Sequence, residues 1–139
     1  METILPVERT LTAVDHQRLA RLRLQQREPA AAEALQDLLE GSDVLAGAAP
    51  VPVSLVTLGS RVLLQDTERA DAPYQLTLCD PHDASPAQGC ISVLSPVGAS
   101  LLGLCTGEVA RWRTPAGHEG AALILAVLFQ PEGQREQRR

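Results

Sequence analysis

Apolar residues recur at three- and four-residue intervals through the first forty positions, and at two-residue intervals after position 53. That change of period divides the chain. Thr12-Ala13-Val14-Asp15 predicts a helix start, with Thr12 as N-cap and Asp15 three residues on in a capping-box arrangement. Nothing breaks that helix before about Gln26, and Leu11, Leu19 and Leu22 fall near one face with Val14 beside them. Pro29 marks a turn and suits the first position of a second helix. There Ala31, Leu35 and Leu38 line a stripe that Ala34 and Leu39 widen, before Gly41-Ser42 supplies a stop. Two short helices with facing stripes and a tight link predict an antiparallel hairpin, an arm roughly 20 Å long at 1.5 Å per residue.

Residues 46–52 (AGAAPVP) are a linker by composition. Beyond them Val53-Leu55-Thr57 alternate with Ser54-Val56-Leu58, and Gly59-Ser60 turns into Arg61–Gln65, which reads as a hairpin of strands. Tyr74–Cys79 and Cys90–Leu94 predict two more strands, separated by the polar loop Asp80–Gln88. Ser95-Pro96 is the sharpest local signal: an N-cap serine, then proline at the first helical position. The short helix it starts carries Val97, Leu101, Leu102 and Leu104, and Gly107 ends the turn after it. Glu108–Arg113 and Ala122–Phe129 are the last strands, and a charged tail follows. The fold class predicted is α+β: an N-terminal antiparallel α-hairpin (1–46), a mostly antiparallel sheet wrapped on one short helix (47–131), and a disordered tail (132–139).

Composition narrows the function. The 139 residues are 45% hydrophobic but only 2% aromatic, so Leu, Val, Ile and Ala must build the core, with Tyr74, Trp112 and Phe129 as its large rings. So few rings, with a net charge of -5, argue against stacking on single-stranded nucleic acid and against a general phosphate-binding surface. All twelve basic residues are arginine. Without lysine, Schiff-base and P-loop chemistry are excluded. The start lacks the basic and apolar regions of a signal peptide, and the longest apolar run, 121–129, is too short to span a bilayer. The expected compartment is the cytoplasm. Three cysteines without CxxC spacing fit reduced, structural thiols.

No constellation of catalytic residues emerges. Cys79, Asp80, His82, Asp83 and Cys90 match no zinc spacing and read as a turn-rich surface loop. Ser95 and Ser100 lack a nucleophile context, and His16, His82 and His118 have no evident orienting partner. Arg111-Trp112-Arg113 alternates along a strand, which turns Trp112 inward and the two arginines toward solvent or a partner. The expectation is a protein-binding module with no cofactor and no catalytic or metal-binding residue.

The run Ile91-Ser92-Val93-Leu94-Ser95-Pro96-Val97-Gly98-Ala99-Ser100-Leu101-Leu102-Gly103-Leu104 resembles the C-terminal signature of the bacterial Gre transcript-cleavage factors. Thr106-Gly107-Glu108, Thr114-Pro115-Ala116-Gly117 and Val56-Thr57-Leu58-Gly59-Ser60-Arg61-Val62 resemble further parts of it. The start Thr12–Leu22, and Trp112 ahead of Thr114-Pro115-Ala116-Gly117, resemble the short members of that superfamily, the Rnk-type regulators of nucleoside diphosphate kinase. The resemblance implies an FKBP-like sheet curled around one helix and RNA polymerase as partner, bound at the rim of its secondary channel. It implies contact through Leu94, Ser95, Pro96 and Val97, where Leu94 replaces the family's aspartate, with Arg111 and Arg113 as further contacts. Gre arms are longer and carry two tip carboxylates that hold a catalytic metal. Here the tip is Gln25-Gln26-Arg27-Glu28-Pro29, and Glu28 is its one carboxylate. A single carboxylate on a short arm does not support two-metal chemistry. The implied role is a non-enzymatic transcription regulator. The alternatives are a cleavage-stimulating factor with a shortened arm and an adaptor for another protein such as the kinase.

Overall fold

The computed structural model describes residues 8–46 and 49–131; the tail expected to be disordered lies outside them. Helix α1 (Ala13–Gln25) and helix α2 (Pro29–Gly41) form the hairpin, flanked by the short strands β1 (Arg9–Leu11) and β2 (Ser42–Val44). A five-stranded sheet follows: β3 (Arg61–Asp66), β4 (Tyr74–Cys79), β5 (Cys90–Ser92), β6 (Val109–Arg113) and β7 (Glu119–Phe129), with helix α3 (Pro96–Leu101) between β5 and β6. The architecture is α+β, a helical pair and a curled sheet. No helix among the described residues is long and apolar enough to cross a membrane.

Thr12 caps α1, its Oγ1 accepting the Asp15 N–H at 3.0 Å. Asp15 is itself buried at the start of the helix. Its carboxylate accepts the N–H of Leu58 at 3.0 Å, 43 residues away, so an N-terminal helix residue is built into the sheet domain. Leu19, Leu22 and Leu35 are buried as the stripes predicted, whereas Val14 and Ala34 lie on exposed faces. The end of α2 is made by Ser42, whose hydroxyl donates to the Leu38 carbonyl at 2.6 Å. β1 and β2 pair in parallel, which requires a long crossover, and the hairpin itself is that crossover.

The sheet order is β5-β4-β3-β7-β6. Its inner pairs are antiparallel, but β5 joins β4 in parallel after a loop with two 3-10 turns. α3 touches β6 at one edge and β4 and β5 at the other, which is possible only because the sheet curls around it.

The predicted strand at 53–58 does not form. Leu55, Val56, Thr57 and Leu58 are buried in succession, so their alternation reflects no exposed face. The segment pairs instead with the stretch after α3: Val56 N–H donates to Leu104 O at 2.8 Å, and Thr106 N–H to Ser54 O at 3.0 Å. β5 stops at Ser92, and α3 stops at Leu101. Tyr74 and Phe129 are exposed and Trp112 is half-buried, so aliphatic side chains alone fill the centre of the core.

Candidate functional site

The turn into α3 is held by its two serines. Ser92 Oγ accepts the Leu94 N–H at 3.0 Å, and Ser92 O accepts both the Ser95 N–H at 3.0 Å and the Ser95 hydroxyl at 2.7 Å. Ser95 Oγ in turn accepts the Gly98 N–H at 3.1 Å, which makes Ser95 the predicted cap of α3. Gly98 is demanded by this geometry, since a Cβ there would lie 2.0 Å from Ser92 O. Beneath the turn Val93 is fully buried, and Leu94 and Val97 pack half-buried on the core. The four candidate contact residues therefore form one rigid corner, and the Ser95 hydroxyl is committed to that corner.

Arg9, a residue the sequence reading passed over, closes the other end of α3. Its Nη1 donates to the carbonyls of Ala99 and Ser100 at 3.2 Å and of Leu102 at 2.7 Å. Burial lowers its pKa, and the more distant Glu108 carboxylate offsets part of that. A guanidinium at the carbonyl end of a helix satisfies acceptors that have no partner within the helix.

Arg111 and Arg113 both project from β6 into solvent, but the sheet treats them differently. Arg113 sits directly across from Glu119 on β7 and pairs with it, its Nε donating to Glu119 Oε2 at 3.1 Å. The hydrogen bond and charge of Glu119 raise the Arg113 pKa, and those of Arg113 lower that of Glu119. Arg111 sits across from Ala121 and, among the described residues, forms no ion pair. Trp112, between them, packs its indole against Gly120, where a Cβ would lie 2.5 Å from the ring. Pro96 and Arg111 line one cleft of about 440 Å³, with Arg9, Ala34, Asp37 and Leu38 among its other walls. The corner at α3 and one of the two arginines thus meet at a single place. Arg113 borders a second depression, which Arg111 also lines together with Trp112, Glu68 and Glu119.

At the arm tip Arg27 and Glu28 are exposed. Glu28 occupies the cap position of α2 without a capping hydrogen bond from its side chain, and Leu24 beside the tip is 75% exposed. Asp80 caps the 3-10 turn after it: its Oδ1 accepts the His82 N–H at 3.0 Å and meets His82 Nδ1 at 2.9 Å. Burial pushes the Cys79 thiol up to about 11, with Cys90, Asp83 and Asp80 adding to the shift. Among the described residues no three His, Cys, Asp or Glu side chains converge as a metal site would need.

The family model described as transcription elongation factor, GreA/GreB, C-term matches residues 51–129. The regulator of nucleoside diphosphate kinase of Escherichia coli (strain K12) is 33% identical over 82 residues, 59% of this chain and 60% of that protein. The transcription elongation factor GreA of Solidesulfovibrio magneticus is 39% identical over 76 residues, 55% of this chain and 46% of its own. The chain thus spans no more than 60% of the length of either relative. A solved prokaryotic transcription elongation factor GreA/GreB from Nitrosomonas europaea aligns at a TM-score of 0.70 and 28% identity, covering 88% of this chain and 99% of its own. The curled sheet and the helical pair are therefore features of a shared fold, and the chain belongs to the GreA/GreB C-terminal domain family.

Proposed function

We propose that this protein is a non-enzymatic, cytoplasmic transcription regulator of the Rnk kind, which binds RNA polymerase near its secondary channel through the corner Leu94–Val97. The observation that carries the reading is the family match over 51–129, which contains that corner whole. The rigidity of the corner favours it: Pro96 and the half-buried Leu94 and Val97 are presented by a turn fixed at both ends, and a preordered surface loses little entropy on docking. Two helices of 13 residues make an arm of about 20 Å, and its tip offers Glu28 alone. That argues for occupancy of the channel rim over delivery of a metal to a distant centre.

The test is association of the purified protein with core RNA polymerase, with Pro96→Ala and Ser95→Ala alongside. Saturable binding that weakens in both variants, without cleavage of the transcript in stalled complexes, supports the reading. Cleavage that disappears in Glu28→Ala would favour a short-armed cleavage factor. No association at micromolar concentration overturns the polymerase assignment and turns attention to nucleoside diphosphate kinase as partner.

A further inference from the structure

We propose that the cleft between α2, α3 and β6 binds a small organic oxyanion, a carboxylate or phosphate on an apolar body, with Arg111 and Arg9 as its cationic side chains. The proposal does not rest on polymerase binding. It begins with the unequal treatment of two arginines two residues apart. Cross-strand register gives Arg113 the carboxylate of Glu119 and gives Arg111 the methyl of Ala121. Among the described residues Arg111 makes no ion pair or side-chain hydrogen bond, although it stands in a chain with a net charge of -5. Packing of α3 on β6 and of α2 beside them then places Arg111 on the wall of a concavity.

The concavity suits a ligand. Its volume of about 440 Å³ falls in the range of small-molecule sites, roughly 300–1,000 Å³. A second guanidinium, Arg9, lines it; only Nη1 of that group holds the carbonyls of α3, and among the described residues no carboxylate forms an ion pair with it, although the charge of Glu108 acts on it. The planar donor fork of arginine matches the two oxygens of a carboxylate or phosphate. Leu38, Pro96 and Ala99 supply apolar lining for the body that carries the anion. Among the described residues Asp37 is the one carboxylate on the walls, and it opposes an anionic ligand. The site therefore carries two positive charges and one negative, on a molecule whose overall charge repels anions elsewhere.

Amide-resolved NMR titration of the full chain with benzoate and with phenyl phosphate tests the proposal. The two probes share a ring and differ in the anion, so they separate a carboxylate site from a phosphate site. The expected result is saturable shifts at the amides of Ser42, Ala99, Ser100 and Arg111 with at least one probe. Arg111→Ala should weaken that binding about tenfold or more, the size of one lost charge-assisted contact, without lowering the melting temperature of this exposed position. Asp37→Asn should tighten it, a gain that a merely structural role would not produce. Absence of saturable shifts with both probes overturns the proposal, as do shifts that Arg111→Ala leaves unchanged. Binding of hexaglutamate in the cleft with neither small probe bound overturns it too, since the cleft would then be the seat of an acidic polypeptide.

Discussion

Gly98 lies where the backbone of the Ser92 turn crosses the first turn of α3, and the crossing leaves no space for a methyl group. An added Cβ would sit 2.0 Å from Ser92 O and 3.1 Å from Leu78 Cδ1, and the nearer atom is backbone that cannot swing aside. Helix propensity favours alanine over glycine by about 1 kcal/mol. Overpacking costs roughly 1–3 kcal/mol and more where backbone must move, so the clash wins. Gly98→Ala is expected to destabilise the protein by about 3 kcal/mol in urea unfolding. Gly41→Ala, where nothing lies within 4 Å, is the control and should be neutral or slightly stabilising. At this scale the sequence was legible only where the physics is local. The Ser95-Pro96 start of α3 could be read because a cap and a proline act within three residues. Gly98 could not, since its reason lies in a carbonyl that only the folded turn brings near, and Arg9 holds carbonyls 90 or more positions away.

Elements were legible where one face is buried and the other wet. α1, α2, β3 and β4 begin and end within a residue or two of their predicted limits for that reason. The 53–58 segment misled because burial on all sides erases the contrast that alternation depends on. Its backbone partners come from 103–106, a pairing set by the chain's return after α3. What fixes this segment from the other side is α1. Asp15, 1% exposed, holds the Leu58 N–H, and the neighbouring Thr57 N–H is held by Ser60 Oγ at 2.8 Å. Replacing the carboxylate strands a buried donor, and hydrogen bonds to charged groups contribute about 1.5–3 kcal/mol. Asp15→Ala is expected to lower stability by about 2–3 kcal/mol. It should also accelerate hydrogen exchange at Leu58 more than at the β3–β7 ladder, which does not depend on α1. Equal acceleration at both would mean that the bond carries no local share of the hairpin's attachment.

For the molecule as a whole, the question is whether the arm is an appendage or part of the core. Composition suggested two parts joined by a linker, and the boundary near residue 46 reads that way in the sequence. The packing joins them. Leu11, Leu19, Leu22 and Leu35 from the helical side share one apolar cluster with Leu58, Val62, Leu102 and Ile124. Three kinds of backbone tie cross the same seam: Asp15 to Leu58, Arg9 to the end of α3, and Thr10 N–H to Gly103 O at 3.0 Å. A two-helix hairpin of 13 residues per helix is marginal alone in water, because helices this short depend on tertiary packing for most of their stability. The helices should therefore hold only while the sheet domain holds. Trp112, the single tryptophan, stands on β6 and reports the domain, while ellipticity at 222 nm is dominated by α1 and α2. Thermal unfolding followed by the two signals is expected to give coincident transitions, the behaviour of one cooperative unit. Ellipticity lost well before the tryptophan signal would mean that the arm melts on its own and that the seam is weak. Coincidence has a consequence for the proposed polymerase binding. On the proposed docking through the corner at α3, an arm joined to that corner presents both as one surface, so a substitution at the buried seam such as Asp15→Ala should weaken association with polymerase.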